Sequence, residues 1–169
     1  MHKNNELKLY NKILSLSRNK LLYTKFHIKD TFQNRIHLIF IHISFLFIKI
    51  KLNNSKKIYS IFYQNIFDII FNKIEINMRE LGFGDTVINK NMKTLVKVFY
   101  NILLKSENYQ NSDNLHKNVF FNDHLEFSKD SKSIDNQGLM NYFDKYLVFC
   151  LDLSSDNVLK GNLNFNIDK

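Results

Sequence analysis

The sequence predicts an all-α protein, and three observations carry that expectation. There is no proline in the 169 residues and there are only four glycines, so helices meet few breakers while sheets lack their usual turn chemistry. Two long segments place apolar residues at helical spacing. In the first, Ile58, Phe62, Ile66, Ile70, Ile74 and Met78 recur every fourth residue, with Tyr59, Tyr63, Phe67 and Phe71 as a neighbouring ridge. In the second, Ile88, Met92, Leu95, Val96, Phe99, Ile102 and Leu103 form a stripe. Gly82 and Gly84 stand between the two. The expected architecture is a single compact multi-helix domain over residues 1–169 with a central helix, glycine turn, helix hairpin. A hydrophobic content of 44% supports a folded chain.

The elements follow in order. Glu6–Ser17 reads as a first helix and Leu21–Phe26 as a short segment. Asp30 or Thr31 caps a long helix that runs to about Asn53. Asn53, Asn54 and Ser55 break it before a helix over Lys56–Leu81. Gly82 is placed to take the left-handed conformation that closes this helix, and Asp85 to accept backbone N–H groups at the start of the next. That next helix is expected to reach about Lys105, leaving Ser106–Asp113 as a loop. Leu115–Phe121 reads as a short helix and Asn122–Ser133 as a charged, mobile connection. From Asp135 to about Leu153, Leu139, Tyr142, Phe143, Tyr146, Leu147 and Cys150 make a helical stripe. The tail from Ser154 holds one turn near Val158, then an extended end.

Charge is distributed unevenly. Residues 1–57 hold twelve Lys or Arg against two acids, residues 58–105 six against four, and residues 106–169 six against ten, within a net charge of +8. A basic front and an acidic back favour an anionic partner at the N-terminal end. Lys90, Lys93 and Lys97 fall on the side of their helix opposite its apolar stripe. Two roles stay open for them: gripping RNA phosphates or anionic lipid head groups, or solubilising one face. Heavy use of Asn, Lys, Ile and Phe with no Ala or Trp suits an AT-rich genome.

The single cysteine, Cys150, excludes an internal disulfide and reads as a buried, inert thiol in a reducing compartment. Met1–Asn5 has no apolar region of a secretory signal. The apolar block Ile36–Ile48 is about thirteen residues long, short of the roughly twenty that span a bilayer, and His37, His42 and Ser44 interrupt it. A buried central helix is expected there, with a surface-lying amphipathic helix with a basic edge at Lys49 and Lys51 as the alternative.

Catalytic patterns do not assemble. Gly-Phe-Gly is too short for a phosphate loop and lacks the Lys-Ser/Thr continuation. His37 and His42 lie five apart and diverge on a helix, where metal-ligand pairs sit three or four apart. Glu75 and Glu80 read as solvated helix residues rather than an acid/base pair. No catalytic, cofactor or metal residue is assigned, and a non-enzymatic protein with no small-molecule substrate is expected.

Several runs, in order, resemble the ubiquinol–cytochrome c chaperone family. DTFQNRIHLIFIHISFLFIKIK (Asp30–Lys51) is similar to its Asp-Thr, Arg, Leu-His signature. FDIIFNKIEINMRELGFGDTVINKNMKTLVKVFY (Phe67–Tyr100) is similar to its pattern of Phe-Asp, Met-Arg-Glu-type helix end, Gly-x-Gly-Asp, spaced lysines and Phe-Tyr. LHKNVF (Leu115–Phe120) and the Gly-x-x-x-aromatic of KGNLNF complete the series. The likeness covers about residues 7–165, with Ile36 in place of an aromatic and Asn89 in place of a glycine.

The resemblance implies an α-helical assembly factor without a catalytic centre or cofactor, which binds newly made cytochrome b and supports biogenesis of the cytochrome bc1 complex (complex III). It also implies, for mitochondrial members, a small partner subunit and contact with the ribosome near its exit. Carried over from its motifs are Asp30, Arg35 and His42, then Gly82, Gly84, Asp85, Lys90, Lys93 and Tyr100; Lys97 joins them from the lysine face. Asp30 and Arg35 are placed to pair near a helix start. A bacterial cytoplasmic setting is expected, peripheral to the inner membrane, or the matrix side in a mitochondrion. The alternative is a basic helical domain that binds RNA, the ribosome or an anionic membrane with no cytochrome client.

Overall fold

The computed structural model describes residues 3–52, 56–128 and 136–166. Among them are eight helices: α1 (Lys3–Ser17), α2 (Lys20–Thr24), α3 (Phe32–Leu52), α4 (Lys56–Glu80), α5 (Asp85–Tyr109), α6 (Asn114–His124), α7 (Gln137–Asp152) and α8 (Ser155–Leu159). The expected break at 53–55 and the end of the expected connection, 129–133, lie outside the described residues. So does the start of the last long helix at 135.

Helix α3 is the axis. Every residue from 36 to 47 is buried, because α1, α5 and α7 pack around it. A helix apolar on all sides is stable in water only when enclosed in this way. This accounts for the apolar block without a membrane. No helix among the described residues is long and apolar enough to cross one. Thr31 Oγ1 accepts from Asn34 N at 3.1 Å and caps the helix.

The hairpin forms as expected, with two corrections. Gly82 has φ 84°, its N–H donates to Arg79 O and the Phe83 N–H donates to Met78 O, the paired bonds of a Schellman ending. Gly84 sits at the N-cap without a side-chain bond, and Asp85 does not cap the helix. Its carboxylate instead accepts from Arg79 Nη1 at 2.6 Å. The second correction concerns Ile58, which is 60% exposed. A strict every-fourth-residue row drifts around a helix of 3.6 residues per turn, so at this end Tyr59 turns inward instead.

Helix α5 runs a full turn beyond Lys105, where a loop was expected. Ser106 and Tyr109 are buried and extend the inner face of Leu95, Phe99 and Ile102, with Ser106 Oγ donating to Ile102 O at 2.7 Å. Polar composition hid the periodicity. The expectation of mobility also fails at 122–128. Residues 122–124 are helical, and Phe127 forms an antiparallel bridge with Ile28.

Helix α7 buries Leu139, Tyr142, Phe143, Tyr146, Leu147 and Cys150. The enclosed Cys150 thiol has its pKa pushed up to about 12 by burial, which makes it inert at neutral pH. After α8, Gly161 has φ 67° and passes so close to Asn5 O that no side chain fits there. Phe165 then packs edge-on against Tyr142 and Tyr146 and at a tilt against Phe149. The Gly-x-x-x-aromatic ending thus fastens the C-terminal segment across α1 and α7.

Candidate functional site

Five of the ten expected residues gather at one end of the bundle. Asp30 and Arg35 stand at the start of α3, and Gly82, Gly84 and Asp85 form the turn between α4 and α5. Arg35 donates from Nε to Asp30 Oδ1 at 2.6 Å and from Nη2 to Oδ2 at 2.9 Å, the forked geometry that fixes a guanidinium against a carboxylate. The bond from Arg35 lowers the Asp30 pKa, and Asp30 raises that of Arg35. Both side chains are about half exposed, so the pair shapes the surface more than it stabilises the fold. Across this end, Arg79 donates to Glu75 at 2.8 Å and to Asp85 at 2.6 Å. It ties the last turn of α4 to the first turn of α5.

Between these ion pairs the surface is apolar. Leu81, Phe83 and Val87 are 61%, 42% and 46% exposed. Two shallow grooves flank them. One, about 240 Å³, lies between α1, α3 and α4 and is walled by Tyr10, Leu14, Phe32, Ile36, Ile74 and Leu81 among others, with Arg18, Arg35 and Glu80 at its polar edge. The other, about 220 Å³, lies between α3, α4 and α5, with Phe32, Ile36, His37, Met78, Phe83 and Leu95 in its wall. Phe32 and Ile36 belong to both, so the grooves adjoin across the first turns of α3.

His37 gives the second groove a polar floor. Its Nδ1 lies 2.6 Å from His124 O and therefore donates, which leaves Nε2 as an acceptor. That atom is buried and has no partner, an unfavourable state unless something else meets it. Burial lowers the His37 pKa, so the ring is neutral at physiological pH. Asn34, one turn earlier, donates from Nδ2 to Lys29 O and Glu126 O, both at 2.8 Å, and accepts from Glu126 N at 3.0 Å. Together Asn34 and His37 hold the chain at 124–126 against the start of α3.

The other expected residues lie elsewhere. His42 is wholly buried, with its ring bonded inside the core. Its Nδ1 donates to Leu38 O at 2.7 Å and its Nε2 accepts from the Tyr142 hydroxyl at 2.7 Å. Lys90, Lys93, Lys97 and Tyr100 are exposed along the outer face of α5, leading away from the turn. Sequence reasoning missed Asn34, His37, Leu81 and Phe83. The apolar pair around Gly82 was the available signal, since turn residues are rarely so large. A depression of about 430 Å³ between α1 and α4, walled by Leu7, Asn65, Asp68, Ile69, Asn72 and Lys73, holds none of the ten residues. Among the described residues no group of three or more His, Cys, Asp or Glu is placed to hold a metal ion.

What the fold and this surface define is an all-helical scaffold, with an apolar end framed by ion pairs. The family model described as ubiquinol-cytochrome C chaperone matches residues 24–165, and the chain belongs to that family. The crystal structure of the Cbp3 homolog from Brucella abortus superposes with a TM-score of 0.82 at 20% sequence identity, covering 99% of this chain and 92% of that one. At that identity the likeness establishes the fold. No curated protein sequence matches the chain.

Proposed function

We propose that this protein is a non-catalytic assembly factor that holds newly made cytochrome b during biogenesis of the cytochrome bc1 complex, with the domain over residues 7–165 as its working unit. One observation carries the reading. Leu81, Phe83 and Val87 stand exposed within seven residues around the glycine turn, and Leu81 and Phe83 each wall one of two adjoining apolar grooves. A client that is itself a membrane protein presents apolar segments before it is assembled, and such segments bind surfaces of this kind. Asp30–Arg35 and Arg79–Asp85 rim the surface and orient the partner rather than supplying affinity.

The test is co-purification from cells that synthesise cytochrome b. Tagged protein retains cytochrome b, and deleting the gene depletes the bc1 complex selectively. Normal levels of that complex after deletion contradict the proposal.

A further inference from the structure

The outer face of α5 carries a second surface that the client reading does not use. Lys90, Lys93, Lys97, Tyr100 and Leu104 follow one another at steps of three and four residues, so they form a single ridge along the helix. All five are exposed, with Tyr100 at 51% and Leu104 at 64%. They lie opposite the buried face made by Leu95, Phe99, Ile102 and Ser106. The ridge is cationic towards the glycine turn and apolar towards the far end, with the tyrosine at the junction. Contacts of Phe67 with Phe99 and Tyr100 set the register of α4 against α5. They bring the exposed Ile58 and Ile61 to the same far end of the hairpin.

The positive charge of the ridge is uncompensated. The acids that flank it along the hairpin are engaged elsewhere: Asp85 pairs with Arg79, Glu107 with Lys51 and Asp123 with Lys105. Asp68 accepts from Gln64. No acidic side chain pairs with Lys90, Lys93 or Lys97 among the described residues.

We propose that this ridge is a contact surface for an anionic lipid bilayer. Three unpaired lysines in a row complement acidic head groups. Tyr100 is suited to the head-group boundary, where its ring meets the acyl region and its hydroxyl meets water. Leu104 and Ile61 enter the outer acyl layer, as the apolar side of an interfacial helix does. An RNA partner uses the lysines but leaves Leu104 and Ile61 exposed, so the composition favours lipid. The surface is distinct from the grooves at the turn, and it stands whether or not cytochrome b is the client.

The experiment is co-sedimentation of the full chain with phosphatidylcholine vesicles, with and without phosphatidylglycerol. The wild-type protein is expected to sediment with the anionic vesicles alone. Replacing Lys90, Lys93 and Lys97 together by Gln is expected to weaken partitioning about fivefold per lysine, on the order of a hundredfold in all at low ionic strength. Leu104→Ser is expected to weaken it by about tenfold without changing its salt dependence. A triple Gln variant at the exposed Lys20, Lys25 and Lys145 carries the same change in net charge and is expected to lose much less.

The proposal is overturned if the wild type stays in solution with anionic vesicles, or if the control triple loses as much as the ridge triple. It is equally overturned if Leu104→Ser binds as wild type does, or if the ridge changes weaken binding to a labelled RNA and leave vesicle binding intact. All the variants alter exposed side chains, and an unchanged thermal melt confirms that each is folded.

Discussion

His42 Nε2 accepts a hydrogen bond from the Tyr142 hydroxyl at 2.7 Å, joining the central helix α3 to α7 inside the core. The contact lies within an aromatic cluster in which the His42 ring packs on Tyr142, Phe143 and Tyr146. His42→Leu leaves the Tyr142 hydroxyl without an acceptor, and Tyr142→Phe leaves Nε2 without a donor. Each is expected to cost about 1–3 kcal/mol in urea unfolding. The double variant is expected to cost less than the sum of the two, by roughly 1 kcal/mol. Strict additivity refutes the pairing.

The same histidine makes stability depend on pH in a defined direction. Burial lowers its pKa from 6.5 to about 4, with the bond to Leu38 O opposing part of the shift. The folded pKa lies below the unfolded one, so the unfolded chain takes up the proton first as pH falls. The contribution is complete above pH 6.5, is lost progressively towards pH 4, and amounts to roughly 3 kcal/mol at most. His37 and His124 are lowered in the same direction, chiefly by burial. The lowered carboxylates Asp30, Asp113 and Asp123 start from an ordinary value of 3.8 and act below this window. Denaturation midpoints measured from pH 7 to 4 are expected to fall for wild type and to fall less for His42→Leu. An identical slope in the two proteins rules the assignment out.

Three glycines of this chain answer substitution differently. At Gly161 a methyl group meets the Asn5 backbone, and φ is also positive, so Gly161→Ala is expected to cost more than about 2 kcal/mol and to loosen the C-terminal segment. Gly82→Ala meets no atom within 4 Å but keeps φ +84°, for an expected cost of about 1 kcal/mol. Gly84 has φ −75° and open space around it, so Gly84→Ala is expected to change stability by less than about 1 kcal/mol. Thermal melts of the three variants check this ranking.

The client reading separates binding from stability. Leu81 and Val87 are largely exposed, so replacing both by Ser is expected to shift stability by no more than about 1 kcal/mol. It is expected to lower retention of cytochrome b several-fold. Val148→Ser, at a side chain 58% exposed on α7, is expected to leave retention unchanged. Quantitative immunoblotting of co-purified cytochrome b checks both.

Helix placement was legible because the apolar period is strong in α4, α5 and α7, because the continuous block Ile36–Ile48 marks α3, and because a chain this poor in proline and glycine offers few other breaks. Sequence failed where polar residues do interior work. Ser106 and Tyr109 looked like loop, yet each continues the buried face of α5. Asn34, unremarkable in the sequence, fixes the segment at 126 through two bonds to Glu126 and ties it to Lys29 through a third. Asp85 matched a capping pattern, but Arg79 lies close enough to claim its carboxylate, and that proximity exists only once the turn has folded. His42 drew attention as a motif residue and proved to be a core residue. In the candidate site, the glycine turn and the Asp30–Arg35 pair were foreseeable from local spacing. The grooves were not, because they arise between helices far apart in the chain.

The most direct measurement is site-specific photocrosslinking during cytochrome b synthesis, with the photoreactive residue placed at Leu81 in one strain and at Val148 in another. A cytochrome b adduct from position 81, and none from position 148, is the predicted result. No adduct from position 81, or a stronger one from position 148, contradicts the claim that the apolar end beside the glycine turn holds the client.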